Sequence, residues 1–406
     1  MRIPSGCSKL DKSIIIDKIK GLIFGAILGD SLGIATEGMT REEIAGFYDQ
    51  GPIRFGMDDE GVPFVRDRYR AQFDENEFGD DGEQLLLVMQ AILDNEDAFN
   101  SKDFATLLSE YHQNGLRGLN KPPIGINPTN QAVLNHPEFS TNPHQAAIDV
   151  WHKHAVRGAN GALIRAPILG IPLFWDGTTV IEHTTEFCKV THPDPRCMIS
   201  CVIVSTIVAR MLRGQNLEVE DSEPMPLPSP PLPLPQDLKT PTSPRHFFTD
   251  TLETDSTLLA LVRNVIETNK RILTAPNTDP LFRTPETDAE QTQTYYRQLL
   301  DHCYFGPFDL HKLQLDRDDQ HHAFKCLAAS IYAFTRHIPL HSETEYFKRI
   351  MMDLVMQGGE ADTNASVAGA LLGLRVGYSG LPSEWVVGLK RWEWLEDKVE
   401  EFCALL

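Results

Sequence analysis

Basic residues are in short supply in this chain. Lys and Arg number 37 against 57 Asp and Glu, a formal charge of −20. A nucleic-acid surface needs clustered Lys and Arg, so that class of partner is excluded. An anionic small molecule is not, because donors or a metal inside a pocket reverse the field locally. Paired cysteines are lacking as well. The seven, Cys7, Cys188, Cys197, Cys201, Cys303, Cys326 and Cys403, are odd in number, irregularly spaced and without a C-x-x-C pair. Reduced thiols in a cytoplasmic protein, with no zinc site, are the expectation. No apolar run approaches the roughly 18 residues of a membrane span. Residues 1–20 carry charges on both sides of Ile14-Ile15-Ile16 and lack a signal-peptide layout, so no membrane partner is expected. Period-2 strand patterns are scarce too.

Helical patterning fills the space that strands leave. With 406 residues, 41% apolar and 23% charged, the chain can bury a large core in one to three domains. Apolar spacing predicts helices over 14–32, 84–95, 102–114, 144–156, 178–190, 195–213, 256–268, 318–336, 342–356 and 363–377. In the first, Gly21, Gly25 and Gly29 recur every four residues. One face of that helix is nearly bare backbone, suited to tight packing in a helical core.

Two segments read as insertions. Residues 221–246 hold nine of the 27 prolines, a composition that favours polyproline II and cannot pack as helix. A surface loop is the plain reading. Pro228-Ser-Pro-Pro231 also fits the P-x-x-P pattern of an SH3-like partner's ligand. Residues 277–294 are polar and acidic and read as loop.

The chemistry concentrates in two acidic motifs almost 280 residues apart. Gly79-Asp80-Asp81-Gly82 opens one strongly apolar stretch, and Gly358-Gly359-Glu360-Ala361-Asp362-Thr363-Asn364 opens another. Each carboxylate alone reads as a helix cap. Together, Asp80, Asp81, Glu360, Asp362 and the Thr363 hydroxyl make an oxygen set that hard divalent cations take. Four carboxylates around one cleft repel unless protonated or neutralised, and two divalent ions would balance them. Glu37, after the glycine-striped helix, could overhang the same cleft. Asp30 reads as structural.

Taken in order, Gly25-x-x-x-Gly29-Asp30-x-x-Gly33-x-x-x-Glu37, Gly79-Asp80-Asp81, Asn160-Gly161-Ala-Leu-Ile-Arg165, Thr191-His192-Pro193 and Gly358-Gly359-Glu360-Ala-Asp362-Thr363-Asn364 resemble the signature set of the ADP-ribosylglycohydrolase family, which includes the ADP-ribosyl-dinitrogen reductase glycohydrolases. The resemblance spans about residues 15–380 of a chain then expected to be one domain over 1–406. It implies an all-α, single-domain orthogonal helical bundle with a central metal-lined cleft. It also implies a metal-dependent hydrolase that cleaves ADP-ribose from a protein or small-molecule acceptor at the anomeric carbon. Two Mg²⁺ or Mn²⁺ ions would be held by Asp80, Asp81, Glu360, Asp362 and Thr363. Glu37, Asp81 and Glu360 would carry the catalytic work. Asn160 and Gly161 would lie by the ribose and diphosphate, as would His192, for which a cap on the turn before Pro193 is the alternative. Arg165 reads as an internal salt-bridge partner. Two positions depart from the pattern: Gly79 stands where the family usually has Thr, and Glu360 where it usually has Asp. One metal only, a shift toward Ca²⁺, or a catalytically impaired ADP-ribose-binding pseudoenzyme would follow from those changes.

Overall fold

The computed structural model describes residues 2–95, 100–119, 122–153, 158–217, 252–273, 285–303 and 310–406. Among them the protein is all-α. Isolated bridges at Ile53–Val62, Ala159–His322 and Thr254–Arg336 are the β pairing found there. The helices run α1 Lys12–Gly33, α2 Arg41–Tyr48, α3 Asp80–Asn95, α4 Ser101–Asn114, α5 Pro128–Leu134, α6 Pro143–Lys153, α7 Ala166–Leu169 and α8 Gly177–Lys189. The order continues α9 Pro195–Leu212, α10 Ser256–Asn269, α11 Pro285–Cys303, α12 Ala323–Phe334, α13 Glu343–Val355, α14 Ala361–Val376, α15 Ser383–Gly388 and α16 Trp392–Cys403.

The pairing of α1 with α14 sets the frame. A Cβ on Gly21, Gly25 or Gly29 would lie 2.3, 2.2 or 2.0 Å from the carbonyl oxygens of Gly373, Gly369 and Ala365. On Gly33 it would lie 2.4 Å from Asp362 Cα. The four-residue glycine stripe therefore lets two backbones touch along the length of both helices. The contact continues past α1: Gly38 N–H donates to Gly359 O (2.8 Å), and Gly359 N–H donates to Met39 O (2.9 Å). Gly358 and Gly359 both hold positive φ, and a Cβ on either would lie about 2 Å from a carbonyl oxygen, that of Met39 or Leu315. Two acidic segments far apart in sequence are thereby brought side by side.

Around this pair, α3, α9, α12 and α13 bury their apolar faces in a core that includes Leu85, Ile199, Val204, Phe324, Phe334, Phe347 and Leu371. Helix α9 corrects one expectation. Its 18 residues, with a mean hydropathy of 1.5, are long and apolar enough to cross a membrane, and 94% of that window is buried within the fold. Three boundaries differ from the sequence reading. The polar stretch expected as loop is helical from Pro285 onward, as α11, which packs on α12. The helix expected from 318 starts at Ala323, because His322 caps it by accepting from Phe324 N–H (3.1 Å). The helix expected over 144–156 is described as Pro143–Lys153. The proline-rich segment at 221–246 lies outside the described residues.

Candidate active site

The acidic motifs meet at one cavity of about 320 Å³, lined by Glu37, Tyr69, Asp80, Asp81, Gln84, Gly125, Asn127, Gly161, His321, Glu360, Asp362 and Thr363, among others. Helix α3 supplies its first turn. Asp30, buried inside α1, caps that turn by accepting from Gly79 N–H (2.9 Å) and Gly82 N–H (2.7 Å). Asp30 is thus structural, as expected, and it leaves Asp80 and Asp81 free to face the cavity. It also bears on the two glycines. A Cβ at Gly79 would lie 3.1 Å from Asp30 Oδ1, and one at Gly82 would lie 2.7 Å from Ile27 Cδ1 and 2.8 Å from Asp30 Oδ2.

Helix α14 supplies the opposite wall. The carboxylate of Asp362 accepts from Thr363 N–H (2.7 Å) and from the Tyr69 hydroxyl (3.4 Å). Glu37 reaches across from the end of α1 to accept from Asp362 N–H (3.3 Å). The Thr363 hydroxyl faces the Asp81 carboxylate, which joins the two motifs directly. The segment bearing Glu37 is pinned by the buried guanidinium of Arg70, which donates to Ala35 O (2.8 Å) and to Glu37 O.

Sequence reasoning missed the residues that come from loops, and Gln84 of α3. Gly125, at φ +93°, brings bare backbone against Asp80, since a Cβ there would lie 2.8 Å from Asp80 Oδ1. Gln84 donates to Asp80 Oδ2 (3.0 Å) and accepts from Asn130 (3.1 Å). His321 pairs with Glu360, with Nδ1 and Oε1 2.6 Å apart. The Gly-containing turn before Asn127-Pro128 was the one signal in the sequence for this wall.

Burial pushes the carboxyls of Glu37, Asp80, Asp81 and Asp362 up, and for the first three the charge on Asp362 adds to the rise. Asp30 is pushed up to about 8 by burial and by Asp362. The hydrogen bond to Glu360 raises His321. These are acids that the protein alone does not neutralise, and Asp81 Oδ2 is buried without a hydrogen-bond partner. The donor chemistry of the wall (carboxylate, hydroxyl and amide oxygens) fits a hard divalent cation. Among the described residues, no group of three His, Cys, Asp or Glu side chains converges on a single point.

Of the residues expected to touch a ligand, Gly161 is on the cavity wall. Asn160 and His192 stand behind it, 1% and 3% exposed. Both side-chain polar atoms of Asn160 and the Nε2 of His192 are buried and without a partner. Burial and the charge of Arg165 hold His192 neutral, pushed down to about 3. Arg165 departs from its expected salt bridge: its guanidinium donates to the Thr191 hydroxyl (2.6 Å) and lies over the Phe104 ring.

An all-α core closed by a helix–helix glycine seam, with an acid-lined cavity at its end, matches a known class. The family profile of the ADP-ribosylglycohydrolases matches residues 11–406. The chain belongs to the ADP-ribosylglycohydrolase family. A solved structure described as an "ADP-ribosylglycohydrolase-related protein complex" shares the fold. It aligns with a TM-score of 0.53 at 16% identity, over 97% of this chain and 99% of that one. No curated protein matches the chain.

Proposed function

We propose that the chain is a metal-dependent hydrolase that releases ADP-ribose from a protein or small-molecule acceptor by cleaving the bond at the anomeric carbon. The supporting observation is the cavity itself: Glu37, Asp80, Asp81, Glu360 and Asp362 around one space of about 320 Å³, with the imidazole of His321 the basic side chain on its wall. Asp80, Asp81, Glu360, Asp362 and Thr363 would hold one or two divalent cations, Mg²⁺ or Mn²⁺ by their donor set. A bound cation supplies Lewis acidity and a lowered pKa for water. Glu37 Oε2 is hydrogen-bonded to Asp362 N–H at the rim of the same space, where it would take or give the proton that passes between water and the leaving atom. The backbone at Gly161 would receive the diphosphate, for which no basic side chain is needed.

Two observations favour a second reading, a protein that binds ADP-ribose without cleaving it. Glu360 is already engaged by His321, and Gly79 brings no hydroxyl to the cleft. The test is release of free ADP-ribose from arginine- and serine-linked peptides with Mg²⁺, Mn²⁺, Ca²⁺ or chelator. Cation-dependent release supports the hydrolase. Cation-dependent binding of ADP-ribose with no release from either linkage would replace it with the second reading.

A further inference from the structure

Behind the cavity, three buried side chains form a one-way chain of hydrogen bonds. Arg165 Nη2 donates to Thr191 Oγ1 (2.6 Å), and Thr191 Oγ1 lies 2.8 Å from His192 Nδ1. A guanidinium can only donate, so Thr191 accepts from Arg165 and its hydroxyl proton is left to give. The acceptor within reach is His192 Nδ1. The opposite arrangement, with the proton on Nδ1, would aim two donors at one hydroxyl and strand the hydroxyl's own proton in a buried site, a costly loss. Arg165 also polarises the Thr191 O–H and so strengthens its donation. The ionisable groups that face it are the Cys188 and Cys201 thiols and His192 itself, none of them a carboxylate.

We propose that Thr191, held by Arg165, is a positioning residue that locks His192 in its Nε2–H form and presents that N–H as a neutral donor to an oxyanion in the cavity. The second end of the ring fits this role. His192 Nε2 is buried and unpartnered. A Cβ on Gly161 would lie 3.3 Å from Nε2 and 3.4 Å from Asn127 Cγ, so the missing side chain leaves a gap between them. Gly161 and Asn127 both line the cavity, so Nε2 lies directly behind its wall. The backbone that carries the ring is fixed on both sides: His192 N–H donates to Cys188 O (2.8 Å), and the Cys188 thiol donates back to His192 O (3.2 Å). A phosphoryl oxygen of a nucleoside diphosphate is the ligand chemistry that a neutral N–H backed by a buried cation suits best. That last step rests on the functional reading above; the tautomer lock does not.

The two are tested separately on the full-length protein. Histidine labelled with ¹⁵N gives separate shifts for the two ring nitrogens of each tautomer, and the His192 pair among the 14 histidines is assigned by its loss in His192→Gln. The wild type and Thr191→Ser should show Nε2 protonated, and Thr191→Val should move the proton toward Nδ1 or mix the forms. A wild-type ring protonated at Nδ1, or a Thr191→Val spectrum like the wild type, overturns the lock. In the binding arm, ADP-ribose should bind Thr191→Val roughly 3- to 10-fold more weakly, with Thr191→Ser close to wild type. Equal affinity in Thr191→Val despite a changed ring overturns the donor role. If the wild type binds no ADP-ribose, the functional reading fails, and the nitrogen spectrum still decides the lock.

Discussion

At the scale of single residues, the acids of the cavity divide by what surrounds them. Asp30 has two backbone N–H partners and works as a helix cap. Glu37 accepts from Asp362 N–H, shares a second hydrogen bond with the Asp362 carboxyl, and lines the cavity. Glu37→Gln keeps the size and loses the proton exchange. It should lower kcat for ADP-ribose release by roughly 100- to 10,000-fold with little change in KM. An equal rise in KM would assign Glu37 to binding instead. Away from the cavity, Asp353 is pushed up to about 7 by burial, against a partial pull from Arg349. Its unfolded value lies near 4. Between those values the folded chain holds a proton that the unfolded chain has lost, so stability falls as pH rises from about 4 to about 7. Asp353→Asn carries no such charge. Its melting temperature should fall less steeply over that range than that of the wild type, as scanning calorimetry at several pH values would show. Legibility at this scale followed the type of residue. Adjacent carboxylates beside glycines could be read directly from the sequence, as could the unusual Glu360. Tyr69, Gly125, Asn127 and His321 could not, because each is placed by a turn or loop rather than by its own motif, and Gln84, on the same helix as Asp80, carries no acidic signal of its own.

At the scale of elements, the seam between α1 and α14 makes the site. Its glycine spacing was visible in the chain, but its partner was not, since nothing in a period of four names the helix it will meet. The apolar helices α3, α9 and α14 were equally visible. The polar α11 reads as loop over part of its length because its composition is that of a solvated segment, but packing on α12 decides its state. The seam makes a test with an inverted sign. Gly→Ala inside a helix ordinarily stabilises by roughly 0.5–1 kcal/mol. At Gly25 the new Cβ would lie 2.2 Å from Gly369 O, with no flexible side chain to yield. Gly25→Ala should therefore destabilise, by about 1–3 kcal/mol as overpacking does, and lower the urea midpoint. Gly46, on α2, has nothing within 4 Å of its would-be Cβ and is the control. A stable Gly25→Ala variant would mean that the two helices can part without cost, and the seam would lose its role in setting the cavity.

At the scale of the whole molecule, an excess of 20 negative charges and a cavity walled by five acids act in the same direction. Both oppose the compact state, and a cation in the cavity would relieve the larger local part of that repulsion. Binding to the folded form alone stabilises by about 2.7 kcal/mol at a concentration 100 times Kd. Added Mg²⁺ or Mn²⁺ should therefore raise the melting temperature, and chelator should reverse the gain. Asp81→Asn separates this from nonspecific screening. Its carboxylate faces the Thr363 hydroxyl, its Oδ2 is buried and unpartnered, and Asp362 and Asp80 both push it toward the protonated form. Replacing it with a neutral amide removes repulsion that the cation-free protein carries. In chelator the variant should melt higher than the wild type, by roughly 2 °C for each 1 kcal/mol of relief. It should also lose most of the cation-dependent gain and most ADP-ribose release. Residues that bind a charged ligand are held at a cost to the empty fold, and this variant exposes that cost. If Asp81→Asn melts lower than the wild type in chelator, the carboxylate supports the fold directly. If its cation response is undiminished, the cation binds elsewhere.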